Sequence, residues 1–161
     1  MDLSRFDAVA HDRDMRLHMP AGLLGFPAIK EYLIVVPDRE LPVKWLQARD
    51  EPHLAFVITD PFALLPDYRV ELTSLDLMDV GAHAITDLFL VAIVTLPRTT
   101  TVYPTVNLQG PVLINRANGW AKQLVLVQGP YHTQHPLTLV PRARALEAGR
   151  PIYCEVRLAP T

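Results

Sequence analysis

Apolar residues come in short runs cut by proline, glycine and acidic turns. Few of the runs repeat at helical spacing, so the pattern points to many short strands. Arg5–Met19 predicts two strands, with Val9, Met15, Leu17 and Met19 apolar and Asp12-Arg13-Asp14 as the turn. In Pro20-Ala21-Gly22-Leu23-Leu24-Gly25-Phe26-Pro27, the glycines supply a tight bend and Leu23, Leu24 and Phe26 form a hydrophobic plug. No Gly-Lys-Ser/Thr follows, so this is not a phosphate loop. Ile29–Tyr32 reads as one helical turn, and Tyr32–Val36 as a strand stopped by Pro37. Val43–Ala48 reads as a strand with Trp45 and Val43 inward.

Leu54–Leu72 organises the middle of the chain. Two strand-like runs, Leu54–Thr59 and Tyr68–Leu72, flank a loop opened by Asp60-Pro61 and closed by Pro66-Asp67. The loop is apolar, carrying Phe62, Leu64 and Leu65, so it either folds back on the core or covers a partner. Asp67 and Tyr68 at its exit suit core and contact roles equally. Thr73-x-x-Asp76 has the form of a helix start, with Leu75, Leu77 and Met78 following and Gly81 as the stop. Leu88–Thr95 is the most apolar run and predicts a central strand buried on both faces. Val106–Asn115 and Trp120–Val127 form a hairpin around Ala117-Asn118-Gly119. Arg142–Ala148 reads as a short helix and Ile152–Leu158 as a final strand. The fold class expected is all-β: a small single-domain barrel-like fold of short antiparallel strands with one or two short helices.

Length and composition agree with that picture. The chain has 161 residues, half of them hydrophobic, enough for one domain with a substantial core. Its 15 prolines outnumber its 7 glycines, which disfavours long helices. The single cysteine, Cys154, excludes an internal disulfide framework and suits a cytoplasmic location. The charged first residues contain no signal-peptide apolar region, and Leu88–Leu96 is too short for a membrane-spanning helix. Charge is segregated: from Asp38 to Asp87, ten carboxylates against four basic residues leave −6, and from Arg98 onward, seven basic residues against two carboxylates leave +5. An acidic face of this kind suits a basic partner.

These pieces, in this order, resemble the flagellar assembly factor FliW family. The resemblance runs from about Leu17 to Leu137. It rests on GLLGFP (22–27), LAFVITDPF (54–62), PDY (66–68), AIVTLP (92–97), NLQGPVLIN (107–115), KQLVL (122–126) and PYHTQHPL (130–137). It implies a compact all-β barrel that binds proteins and catalyses nothing, with no cofactor. The implied partners are the RNA-binding repressor CsrA and flagellin. Occupying CsrA would relieve its repression of flagellin translation, and flagellin would displace CsrA. The expected protein-binding residues are Asp60, Phe62, Asp67, Tyr68, Glu71, Asn107, Leu108 and Pro111. The resemblance suggests a domain over 1–140 and a C-terminal extension over 141–161. Family members are often distinctly acidic, whereas the last third of this chain is basic.

Other chemistries are weakly supported. His132 and His135 at i and i+3, with His11, His18, His53 and His83 elsewhere, give a poor metal pattern with no cysteine or carboxylate close in sequence. Cys154 has no flanking group to lower its pKa and lies in an apparent strand. Asp50-Glu51 precede Pro52 and read as a turn. The alternative from a different class is an OB-like single-stranded nucleic-acid module, with Tyr103, Trp120 and Tyr131 beside Arg98, Arg116 and Lys122. A dense basic stripe is missing, so direct nucleic-acid binding is not expected.

Overall fold

The computed structural model describes residues 15–36, 43–97, 103–141 and 154–158. Among them nine strands form a largely antiparallel, nearly closed sheet: β1 (Met15–His18), β2 (Glu31–Val35), β3 (Val43–Ala48), β4 (Ala55–Thr59), β5 (Leu88–Thr95), β6 (Thr105–Asn115), β7 (Ala121–Gln123), β8 (His135–Pro141) and β9 (Cys154–Leu158). Two short helices, α1 (Pro61–Leu64) and α2 (Ser74–Asp79), lie between β4 and β5. Strands β1 to β6 each pair with the next in sequence, and β7 and β8 both pair with β6. β9 pairs with β8 from Leu137↔Leu158 to Pro141↔Cys154. This meander is not the five-stranded Greek key of an OB fold, which corrects the alternative reading.

A seam closes the sheet. The His18 N–H donates to the Gly119 carbonyl at 2.8 Å, and His18 bridges Trp120 in parallel. Gly119 has φ +76, and a Cβ there would lie 2.5 Å from the Arg16 carbonyl oxygen. Only glycine fits both the turn and this approach.

The pleat sorts side chains into two cores. Leu17, Tyr32, Ile34, Leu46, Phe89, Val91, Val112 and Ile114 fill the barrel interior. Leu88, Leu90, Ala92, Leu108 and Leu113 face the other way, into a second cluster. That outer cluster is covered by the 61–82 segment, through Phe62, Leu64, Leu65, Tyr68, Val70, Leu72, Leu77 and Val80. β5 is therefore apolar throughout because each of its faces meets a layer.

Several expectations need correction. Tyr68–Leu72 is not a strand. It covers a sheet from outside, and the Arg69 N–H goes to the Tyr131 hydroxyl rather than to a ladder. The helical turn expected at Ile29–Tyr32 gives way to β2, which begins at Glu31 and pairs with both β1 and β3. In β3, Leu46 and Ala48 enter the barrel, whereas Val43 and Trp45 pack on the outer cluster. In the glycine turn Leu23 is buried, but Leu24 is 66% exposed and Phe26 leans edge-on against Phe56. The return strand after Gly119 stops at Gln123, though Leu124 and Leu126 N–H groups still reach the Pro111 and Gln109 carbonyls. The strand expected before Asp12, the turn at Asp12-Arg13-Asp14 and the helix at Arg142–Ala148 lie outside the described residues.

Candidate functional site: the acidic cover segment

The chain leaves β4 at Asp60, whose carboxylate accepts from the Phe62 N–H at 2.9 Å and caps α1, with Pro61 in the first turn. The Leu65 N–H returns to the Pro61 carbonyl and the Tyr68 N–H to the Leu65 carbonyl, both at 2.9 Å. These turns aim Tyr68 inward. Its ring is 3% exposed, and its hydroxyl donates to the Leu108 carbonyl at 2.5 Å. Phe62 meets Tyr68 edge-on at 5.6 Å between centroids, and Tyr131 lies against its other side at 4.6 Å. Burial, helped by the neighbouring Tyr131, pushes the Tyr68 phenol well above its usual pKa. Tyr68 therefore stays a neutral donor.

Asn107 shapes the facing part of β6. Its Oδ1 accepts from the Gly110 N–H at 2.8 Å and the Gln109 N–H at 3.1 Å. The Leu108 and Gln109 N–H groups also point at the His132 carbonyl, 3.1 Å away in each case. The register shift in β5 between Val91 and Ile93 falls opposite this stretch. Pro111 is buried, and its carbonyl accepts from the Leu124 N–H at 2.8 Å.

The sequence-predicted residues thus divide by depth. Phe62, Tyr68 and Leu108 meet in one cluster. Tyr68, Leu108 and Pro111 lie beneath the surface, Asp60, Phe62 and Asn107 are half-buried, and Asp67 and Glu71 are exposed. A partner touching this face would meet carboxylates and part of Phe62, over a floor set by the buried residues.

Sequence reasoning missed the clamp beside it. Thr73 and Asp76 form the expected reciprocal cap on α2, but Asp76 also accepts from Lys122 Nζ at 2.9 Å, and Asp79 does so at 2.8 Å. Burial opposes the charge on Asp76, yet bonds from Lys122 and Thr73 outweigh it and hold the carboxyl below the usual range. Burial likewise opposes the Lys122 charge, and the two aspartates outweigh it and raise its pKa. Lys122 is therefore occupied inside the protein, which removes it from the basic set of the nucleic-acid reading. Asn115, buried in β6, adds a second tie by donating to the Val80 carbonyl at 3.0 Å. Neither tie had a sequence signal, because the partners are 35 or more residues apart.

The comparisons with known proteins agree with this architecture. A family model described as FliW protein matches residues 1–137. The chain belongs to the FliW family. The flagellar assembly factor FliW of Natranaerobius thermophilus is 34% identical over 132 residues, covering 82% of this chain and 87% of that one. The FliW of Geobacter sulfurreducens is 35% identical over 133 residues, covering 83% and 82%. A crystal structure of the flagellar assembly factor FliW superposes with a TM-score of 0.68 at 29% identity, covering 79% of this chain and 87% of that one. The FliW match ends at the start of β8, so the later part of β8 and all of β9 lie beyond it.

Proposed function

We propose that this chain is a non-catalytic, cytoplasmic regulator of flagellar assembly that binds CsrA and flagellin and so relieves repression of flagellin translation. The observation that carries the reading is the family match across residues 1–137. Curated relatives named flagellar assembly factors support it. The cover segment is the proposed contact face, with Asp67 and Glu71 as its exposed charges, Phe62 as its apolar edge, and Asp60, Tyr68, Asn107, Leu108 and Pro111 holding its shape. CsrA, as an RNA binder, offers basic surface that an acidic face attracts.

The test is calorimetric titration of CsrA, alone and with saturating flagellin. Linked sites require that flagellin lower CsrA affinity and that CsrA lower flagellin affinity by the same factor. A double Asp67→Lys, Glu71→Lys variant should slow association, weaken binding by about 1 kcal/mol or more, and flatten the salt dependence. Asp60 is left intact because it caps α1. If neither protein binds, the reading fails. If both bind and the variant is indistinguishable from the parent, the contact face lies elsewhere.

A further inference from the structure

The two histidines of the 130–137 stretch are joined through a ring nitrogen and a backbone N–H. The His132 backbone N–H donates to His135 Nε2 at 2.8 Å, so that nitrogen must carry a lone pair. The two rings stack, with centroids 4.8 Å apart and planes 27° from parallel. This bond closes the segment whose His132 carbonyl faces the Leu108 and Gln109 N–H groups. The same segment carries Tyr131, which packs on Tyr68 and accepts from the Arg69 N–H at 2.9 Å.

We propose that His132 and His135 form a proton-operated clasp that holds the Tyr131–His135 segment over β6 when His135 is neutral and releases it when His135 is protonated. Protonation places a hydrogen on Nε2, so His132 N–H loses its acceptor and faces a like-directed donor. The neighbouring His132, stacked on the ring, further disfavours a charge on His135. Among the described residues no carboxylate contributes to the His135 shift, whose causes are burial and His132. On β6 the positions beside His135 and Pro136 are Val106 and Thr105, neither titratable. Along the segment itself Tyr131 is phenolic, and it meets the cover segment through the Arg69 backbone N–H. Burial, then the neighbouring His132, lowers the His135 pKa below its ordinary value. Its neutral form is thus the one the fold favours. The clasp contributes its full stability above about pH 6.5, the ordinary histidine pKa, and loses it as pH falls through the lower folded value. The device is a property of this chain alone and requires no partner.

Amide hydrogen exchange, corrected for the intrinsic pH dependence, tests it together with an NMR titration of the histidine ring protons. Between about pH 7.5 and about pH 5, the range in which histidine changes charge, His132, Leu108 and Gln109 should lose protection, by up to about tenfold per pH unit below the His135 pKa. His135→Gln keeps an acceptor without a titration and should make protection independent of pH. His132→Gln keeps the backbone donor but removes the neighbouring charge, so His135 should titrate closer to the ordinary value. Unchanged protection while His135 titrates would overturn the clasp. So would an elevated His135 pKa, or the same pH dependence in His135→Gln.

Discussion

Replacing Gly119 by alanine should open the barrel at its seam and lower Tm by roughly 10 °C, on the scale of about 2–4 °C per kcal/mol for a chain of this size. Two effects combine. A left-handed φ costs a residue with a Cβ about 1–2 kcal/mol. The added Cβ would also sit 2.5 Å from the Arg16 carbonyl oxygen, a backbone atom that moves only by shifting β1. That shift strains the His18 N–H bond to the Gly119 carbonyl. Gly25→Ala is the internal control: φ there is +88, but nothing lies within 4 Å of the added Cβ. It should carry the conformational cost alone, about 1–2 kcal/mol. Thermal melts of the two variants separate the seam from the backbone effect. Equal losses would show that the approach to β1 is unimportant.

Removing the Tyr68 ring should be at least as damaging. Tyr68→Ala takes a buried aromatic out of the outer cluster, from between Phe62 and Tyr131, at a cost of about 3–5 kcal/mol. Tyr68→Phe keeps the packing and deletes the donor to the Leu108 carbonyl, costing about 1–3 kcal/mol. Tyr32 provides the contrast, since its hydroxyl is buried with no hydrogen-bond partner among the described residues. Tyr32→Phe should therefore be neutral or slightly stabilising in urea denaturation. If the two Tyr→Phe variants lose equal stability, the Tyr68–Leu108 bond is not what anchors the cover segment.

Where the sequence could be read correctly, the cause was local. The Thr73–Asp76 cap, the glycine stop at Gly81 and the apolar run of β5 depend on neighbours in sequence or on burial alone. Alternation misled at Tyr68–Leu72 because any segment that lays alternate residues on a sheet mimics a strand, wherever its backbone bonds go. The direction of Trp45 was ambiguous because both faces of β3 meet apolar layers, so period two does not say which is the interior. At the candidate site, the acidic and apolar character of the 60–71 segment was legible. Its depth was not: that Tyr68 lies beneath and Asp67 stays outside depends on Leu108 and Tyr131, far along the chain. The pairing of Lys122 with α2 is likewise a product of the finished fold.

The meander also sets a timetable. From β1 to β6 every new strand finds its partner in the one just made, so each step closes only a modest loop. The seam joins positions roughly 100 residues apart, His18 and Gly119, and the entropy of closing a loop grows with its length. The seam should form after the rate-limiting step. The part of the Gly119→Ala loss that comes from the seam would then speed unfolding and leave the folding rate nearly untouched in stopped-flow chevrons. Until that closure, among the described residues the edges of β1 and β7 that meet at the seam stay open to pairing with another copy of the chain.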